Sequence, residues 1–208
     1  MAMLTRRGVG ASAFAALFFA SSFPGAQAPQ TVRVRGTIEK VDGQMLTVKL
    51  RDGNTLTIKP ADNARVTAMI KASLADIKVG DFVGVTAMPQ PDGSRKAIGL
   101  HIFMAAQRGV VPTRFLPWDR EPGSTMTNAD VESSVAGVDG QIMMVKYSDG
   151  EKKVIVPPNT PVVRFLPGDT GDLKPGAQIF VMAGQKMPDG TITAPAINVG
   201  RDGVAPPM

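Results

Sequence analysis

Few residues in this sequence could carry acid–base or nucleophilic chemistry. His101 is the single histidine and cysteine is absent, which excludes a histidine-based triad, a multi-histidine zinc site, a disulfide and a thiolate nucleophile within one chain. His101 alternates with Leu100 and Ile102, and this pattern predicts a surface position on a strand. The alternative is that His101 is a single ligand for a soft metal ion.

The carboxylates favour structural roles over catalytic ones. Six aspartates between the predicted strands are followed by a glycine, as tight hairpin turns require, because Gly adopts a positive φ freely and Asp tolerates it. Catalytic carboxylates must converge on one site, and the sequence contains no phosphate-binding loop, nucleophile elbow or zinc-protease motif. We therefore expect no enzymatic activity and no cofactor. The six aspartates are Asp42, Asp52, Asp92, Asp139, Asp149 and Asp189.

Methionine is the compositional hint of metal chemistry. Ten of the twelve methionines follow residue 28, and thioethers suit Cu(I). Met104 lies three positions after His101, so on a regular strand these two side chains point to opposite faces. The adjacent Met143 and Met144 likewise predict one core and one surface position. The candidate ligands for Cu(I) are His101, Met104, Met126, Met143 and Met144, with Trp118 as a cation–π cap.

An aromatic segment in the middle of the chain is a candidate binding surface. Residues 114–119 read RFLPWD and are echoed at 164–169 as RFLPGD. One interpretation is that Phe115, Leu116 and Trp118 fold back over a barrel edge and fix the angle between two domains. The other is an exposed aromatic platform that binds a glycan or a peptide partner.

The charge balance argues against a nucleic-acid partner. The formal net charge is +5, and it falls to +3 once Arg6 and Arg7 are removed. Binding of single-stranded nucleic acid needs aromatic side chains above a basic groove. Few aromatics lie among the basic strand residues, so we expect no nucleic acid to bind. These basic residues are Lys49, Arg51, Lys59, Lys152 and Lys153.

The N-terminal 28 residues have the pattern of an export signal. Arg6 and Arg7 precede a short apolar stretch, and the segment ends at Ala26-Gln27-Ala28, a cleavage pattern for small residues. The arginine pair also admits the twin-arginine route, and an uncleaved anchor is the alternative. Residues 29–208 contain no apolar run that reaches the length of a membrane span. The sequence predicts a periplasmic or secreted protein that is not an integral membrane protein once processed.

An internal repeat organises the rest of the chain. VDGQ at 41–44 recurs at 138–141, and the Asp-Gly pairs at 52 and 92 recur at 149 and 189, all at an offset of 97. DIKVG at 76–80 recurs as DLKPG at 172–176, at an offset of 96. Because these motifs recur in the same order and at nearly the same offset, they predict two homologous units. We expect a first barrel at 29–104, a linker at 105–130, a second barrel at 131–200 and a tail at 201–208.

Each unit has the pattern of β structure. Val32, Val34 and Ile38 alternate with polar residues, and further alternating runs follow after the turns. A short helical excursion is predicted within residues 71–77, before two more strands. Three strands, an excursion and two strands are typical of a small barrel of the oligonucleotide/oligosaccharide-binding type, abbreviated OB-like. The predicted fold class is all-β, with two tandem OB-like five-stranded barrels after the signal peptide.

Two stretches carry a resemblance to known families. GTIEKVDGQMLTVKLRDG with DIKVGDFVGV and PDG resembles a bacterial family of exported domains of unknown function with an OB-like barrel. The second half, from STMTNADV to VGRDGVAPPM, is similar to proteobacterial exported proteins often labelled metal ABC transporter permeases. A permease needs several long apolar helices, and none is predicted. Small periplasmic copper chaperones also resemble this kind of barrel, which implies ion binding by Met, His and an aromatic residue.

These observations lead to two functional expectations. The first is a non-catalytic periplasmic binding or accessory module that acts on an envelope protein or an extracellular polymer. The alternative is a periplasmic copper-binding or metal-binding accessory protein with Met and His ligands. The sequence identifies neither the partner nor the oligomeric state.

Overall fold

The computed structural model describes residues 30–137 and 140–208, most of which lie in strands. The predicted signal peptide and residues 138 and 139 of the second VDGQ motif lie outside the described residues. In the described ranges, no helix has the length and apolar character that crossing a membrane requires. The strands are β1 (Thr31–Asp42), β2 (Met45–Leu50), β3 (Thr55–Ala72), β4 (Phe82–Pro89), β5 (Arg95–Ile102), β6 (Arg114–Pro117), β7 (Thr125–Gly137), β8 (Gly140–Tyr147), β9 (Gly150–Val156), β10 (Val162–Pro167), β11 (Gln178–Lys186) and β12 (Ile192–Gly200), and one-turn 3₁₀ helices lie at Leu74–Asp76, Ala105–Gln107 and Thr170–Asp172.

Five strands close into a first barrel, which we call barrel 1. Their order is β1–β2–β3–β12–β11 and back to β1, and all neighbours are antiparallel except the parallel pair β3 and β12. Alternate apolar side chains point inward and form one core, as the period of two in the sequence predicts. Its fully enclosed members include Ile38, Val48, Ile58, Val181 and Ile197.

Five other strands close into barrel 2 with the same arrangement. Their order is β7–β8–β9–β5–β4 and back to β7, with β9 and β5 as the parallel pair. Its separate core includes Val83, Leu100, Met143 and Val145. Barrel 1 has the order 1–2–3–5–4 of a Greek-key five-stranded barrel, and barrel 2 has the same order when β7 is counted as its first strand, so the predicted all-β, OB-like class is confirmed.

The barrels differ from the predicted tandem arrangement, because the two repeats exchange strands. Barrel 1 takes β1–β3 from the first repeat and β11–β12 from the second, whereas barrel 2 takes β4–β5 from the first and β7–β9 from the second. The units 29–104 and 131–200 therefore describe the sequence repeat and not the folded barrels. The expected linker 105–130 contains β6 and the start of β7. Equivalent strands carry the same inward apolar pattern, so either pairing fills a core and the sequence pattern does not choose between them.

Strand β10 joins the barrels into one sheet. It runs antiparallel to the second half of β3, with Val162 opposite Ala72 and Pro167 opposite Thr67. On its other side it runs parallel to β5, with Val163 opposite His101. The described strands consequently form a single hydrogen-bonded sheet, and the angle between the barrels is set by main-chain pairing.

A shared bulge fixes which residues correspond between the barrels. Glu39 interrupts the register of β1 with β2, and Glu132 interrupts that of β7 with β8. Each bulge glutamate contacts a lysine on the next strand: Glu39 lies 3.8 Å from Lys49, and Glu132 lies 3.3 Å from Lys146. Residues 32–35 of β1 thus correspond to residues 125–128 of β7. The repeat offset of 97 holds for β2 and β8, but the offset between β1 and β7 is 93.

A third apolar cluster lies outside both barrel cores and packs them together. It brings side chains of β3, β7, β10 and β11 against the segment that follows β6 and against the tail, with Phe103, Met104, Leu116 and Val204 packed around it. The buried members of this inter-barrel cluster are Met69, Trp118, Met126, Val163, Phe165, Phe180 and Met208.

Candidate functional site

The outer face of barrel 1 collects arginines because of the alternation in β1. Val34 is buried in the barrel core, so Arg33 and Arg35 on either side of it point outward. Their side chains stay 32% and 14% exposed, respectively. Strand β11, which contributes Phe180 opposite Arg35, comes from the other repeat. This face is therefore built from strands of both repeats.

A small pocket lies on this outer face, beside the end of β2. Its volume is about 130 Å³, and its charged lining residues are Arg35, Lys49 and Arg51. No carboxylate belongs to its lining, and Pro206 of the tail borders it. We call Arg33, Arg35, Lys49, Arg51 and Arg120 the basic face.

The positive charges of the basic face act on one another. Partial burial, followed by the charges of Arg120 and Arg35, lowers the pKa of Arg51 below its ordinary value. In residues 30–137 and 140–208, Arg51 forms no salt bridge, and the buried Nη1 atom of Arg120 has no hydrogen-bond partner. A buried guanidinium nitrogen without an acceptor is costly, and an anionic group in the pocket would relieve the repulsion.

Asp119 is the main counter-charge on this face. It accepts a hydrogen bond from Arg35 at 2.7 Å and lies 3.3 Å from Arg33. Burial alone would raise the pKa of Asp119, but the hydrogen bonds and charges of Arg35 and Arg33 outweigh it and hold the pKa below its usual value. With Glu39 beside Lys49, two side-chain carboxylates of the described chain pair with three of the five cationic side chains of this face. The face therefore keeps a positive surplus.

Trp118 is the single tryptophan, and it lies next to the basic face. Only 7% of its surface is exposed, and the Arg33 guanidinium lies 4.2 Å from its ring centroid. The ring also meets Phe180 edge-on at 6.1 Å. Trp118 is thus a buried support for the arginines, and its ring does not form a platform open to solvent.

The other two residues of the predicted aromatic segment lie in β6. Strand β6 pairs antiparallel with β7, with Phe115 opposite Thr127 and Leu116 opposite Met126. Phe115 is half-buried, 6.0 Å from the Tyr147 ring. This segment covers a barrel edge, which is the first of the two arrangements that the sequence allowed.

The alternation predicted a surface position for His101, and this prediction is wrong. Only 4% of the residue is exposed. Its ring does point out of barrel 2, where the Phe165 ring of β10 stacks on it at 4.8 Å between centroids. Burial lowers the pKa of His101 to about 3, so the imidazole is neutral at pH 7. Its Nδ1 atom has no hydrogen-bond partner among the described residues. The ring occupies the space that the missing side chain of Gly84 leaves open.

The predicted methionine ligands do not all come together. Met126 lies in the inter-barrel cluster and Met104 packs against it, whereas Met143 is in the core of barrel 2. Met144 points to the opposite face of β8 and is half-buried. Two methionines that the sequence did not single out, Met69 and Met208, join the cluster instead.

Three aspartates of the described Asp-Gly turns accept hydrogen bonds from the main chain of the turn. Main-chain N–H groups two residues further on donate to Asp52, Asp92 and Asp189 at distances of 2.9 to 3.0 Å. Hydrogen bonds from the Ser94 hydroxyl and main chain lower the pKa of Asp92. Within the described ranges, no group of three or more His, Cys, Asp or Glu side chains could hold a metal ion.

A larger open groove lies beside β10, with a volume of about 840 Å³. It is lined by residues 71–75, 158–163 and 202–205, and its charged members are Lys71 and Asp202. One lysine and one aspartate provide neither a cluster of like charge nor a nucleophile with its base. The basic face is therefore the stronger candidate site.

The sequence did not single out three residues of this site, Arg33, Arg35 and Arg120. A signal for two of them was present, because the V-R-V-R alternation at 32–35 points two arginines outward.

Comparisons with protein-family models, with curated proteins and with solved structures find no significant match for this chain. Function is therefore inferred from the geometry of the chain itself. The resemblance to a family of exported barrels stays a prediction.

Proposed function

We propose that this chain is an exported, non-catalytic binding module that recognises an anionic envelope protein or extracellular polymer through the basic face. One observation carries the proposal: a pocket lined by Arg35, Lys49 and Arg51, with no carboxylate in its lining. Guanidinium groups donate paired hydrogen bonds to carboxylate, phosphate and sulfate groups, and these charge-assisted bonds are stronger than neutral ones. Export is supported by the N-terminal signal pattern.

The electrostatics of the site support an anionic ligand. The pKa of Arg51 is lowered first by partial burial and then by Arg120 and Arg35, so the cations repel one another in the unliganded face. A bound anion would stabilise all of them together. A concentrated positive field also speeds encounter with an acidic partner, and salt screens this effect.

The experiment is a titration with poly-L-glutamate, followed by the fluorescence of Trp118. Because Trp118 is the single tryptophan and Arg33 stacks on it at 4.2 Å, its emission reports on this face. We expect saturable binding that weakens with added salt. Arg51→Glu should weaken binding roughly tenfold, which is about 1.4 kcal/mol.

The matched control is Arg65→Glu, which changes the net charge equally at an exposed position of β3 outside the pocket. It should bind poly-L-glutamate within about twofold of the wild type. Equal losses in both variants would mean that only overall charge matters, and no binding by the wild type would remove the proposal.

Soft-metal binding is a second candidate, and one observation favours it. The inter-barrel cluster contains three buried methionines, Met69, Met126 and Met208, and the neutral imidazole of His101 stacks on Phe165 of the same cluster. Thioethers and a neutral imidazole are ligands for Cu(I). Titration with Cu(I) should then quench Trp118 at one equivalent in the wild type and not in Met126→Leu. Quenching without a stoichiometric end point would reject this candidate.

A further inference from the structure

The two barrels treat one equivalent strand edge in opposite ways. In barrel 2, β6 pairs antiparallel with residues 125–128 of β7, beyond the point that β8 reaches. The equivalent residues of β1 are 32–35. They pair with β11 on one side, and β2 ends opposite Gly36 on the other. In the described part of the chain, no strand takes the place of β6 on β1.

This β1 edge, residues 31–35, has unpaired main-chain groups. Apart from the pairing with β11, no main-chain hydrogen bond within the described ranges reaches these residues. Alternate N–H and C=O groups along such an edge are a template for another strand. The tail comes near, since Arg35 donates from Nε to the Met208 main-chain oxygen at 2.9 Å. However, Pro206 and Pro207 lack the N–H groups that a β ladder needs.

The side chains around the β1 edge select the charge of its occupant. The edge carries Arg33 and Arg35, and Arg51 follows the end of β2 next to it. A second copy of the chain would bring an equally basic edge against this one, which like-charge repulsion disfavours. An acidic segment has complementary charge. Strand addition provides main-chain hydrogen bonds, and alternate side chains provide specificity.

We propose that an extended acidic segment of a partner protein binds as an added antiparallel strand on the β1 edge, in the position that β6 takes on β7. This inference rests on the proposed function, because it names the partner class of the same basic face. It explains why barrel 2 carries its own covering strand at this edge and barrel 1 does not.

The test uses the full chain with three synthetic heptapeptides, read out by affinity and by amide hydrogen exchange. The first peptide alternates glutamate and valine. The second has the same sequence with alternate amides N-methylated, which removes the ladder donors and keeps the charge. The third replaces glutamate by glutamine. We expect the first peptide to bind at least about tenfold more tightly than the other two. It should also slow amide exchange at residues 31–35 about tenfold.

The outcomes separate this inference from the proposed function. Equal binding of the first two peptides, without slower exchange at residues 31–35, would overturn strand addition while anion recognition stands. Slower exchange only at another edge would also overturn it. If neither these peptides nor poly-L-glutamate binds, both the inference and the proposed function fail.

Discussion

Barrel 1 and barrel 2 share one framework and differ in what they present outside it. Both have the same strand order, the same parallel closing pair, and a bulge glutamate that contacts a lysine on the next strand. At equivalent outer positions, barrel 1 carries Arg33, Arg35 and Arg51, and barrel 2 carries Met126, Asn128 and Ser148. Barrel 2 covers this region with β6, whereas barrel 1 leaves it with a positive surplus.

This difference teaches how a duplicated barrel can divide its tasks. An uncovered strand edge is an aggregation risk, which proteins reduce by covering the edge or by placing charge on it. Barrel 2 uses the first solution with an apolar strand, and barrel 1 uses the second with arginines. Of these two arrangements, only the charged edge leaves its main-chain groups accessible to a partner, which is why we assign binding to barrel 1.

A second contrast lies at one cross-strand pair and makes the strongest prediction. Barrel 2 places His101 opposite Gly84, and barrel 1 places Asn198 opposite Phe180 at the equivalent positions. A Cβ atom at position 84 would overlap the His101 ring. Gly84→Ala should therefore lower the free energy of unfolding by about 3 kcal/mol, measured by urea denaturation.

The partner substitution is the control for this prediction. Replacing His101 by asparagine, the residue found in barrel 1, makes room for the added methyl group. The double variant Gly84→Ala/His101→Asn should therefore be more stable than the sum of the single changes implies. If the two changes in the free energy of unfolding are strictly additive, or if Gly84→Ala loses no stability, then the His101 ring does not need this space.

The buried His101 also predicts a pH dependence that barrel 1 lacks at Asn198. Burial lowers the pKa of His101 from 6.5 to about 3, so between these values the unfolded chain binds a proton that the folded chain does not. The contribution of neutral, buried His101 to the free energy of unfolding is fully present above about pH 6.5. It falls by about 1.4 kcal/mol per pH unit as the pH decreases toward 3.

Proton NMR of the single histidine measures this directly, with His101→Gln as the control in unfolding experiments. The imidazole signals of the folded protein should not titrate between about pH 8 and about pH 5, an interval that spans the ordinary pKa of a histidine. A titration near pH 6.5 would contradict the burial of this ring. The His101→Gln variant should lack this component of the pH dependence.

The smallest predicted effect concerns the counter-charge of the basic face. Asp119→Asn removes the carboxylate that Arg35 and Arg33 share, so affinity for poly-L-glutamate should rise about threefold. Asp42→Asn is the matched control, because Asp42 pairs with Lys40 on the same barrel away from the pocket. Equal rises in both variants would indicate a general charge effect, and no rise in Asp119→Asn would contradict its role.

Local pattern was sufficient to predict the first barrel strands and the Asp-Gly turns, but not β6, β10 or the second half of β3. The alternation around Val34 and Ile38 indicates a half-buried strand, and Gly43 and Gly53 adopt the positive φ that the Asp-Gly turns predict. The exchange of strands could not be predicted this way. Val83 and Val85 of β4 and Ile179 and Val181 of β11 present the same alternating apolar pattern to a core.

The candidate site was only partly predictable for the same reason. Lys49 and Arg51 were visible as basic strand residues, but their neighbour Arg120 comes from the segment after β6, which meets β1 only in three dimensions. The burial of His101 likewise depends on β10, which pairs with the edge of β5 and stacks Phe165 on the His101 ring. Sequence periodicity shows which way a side chain points, but not what another part of the chain places over it.

The folding of fragments tests most directly whether the repeats exchange strands, on which the basic face depends. Residues 78–158 contain every strand of barrel 2 in one continuous segment, whereas residues 30–104 contain β1–β3 together with two strands of the other barrel. We predict cooperative urea unfolding with dispersed NMR signals for fragment 78–158, and neither for fragment 30–104. A folded fragment 30–104 beside an unfolded fragment 78–158 would contradict the exchange and, with it, the pairing of β1 with β11 that builds the site.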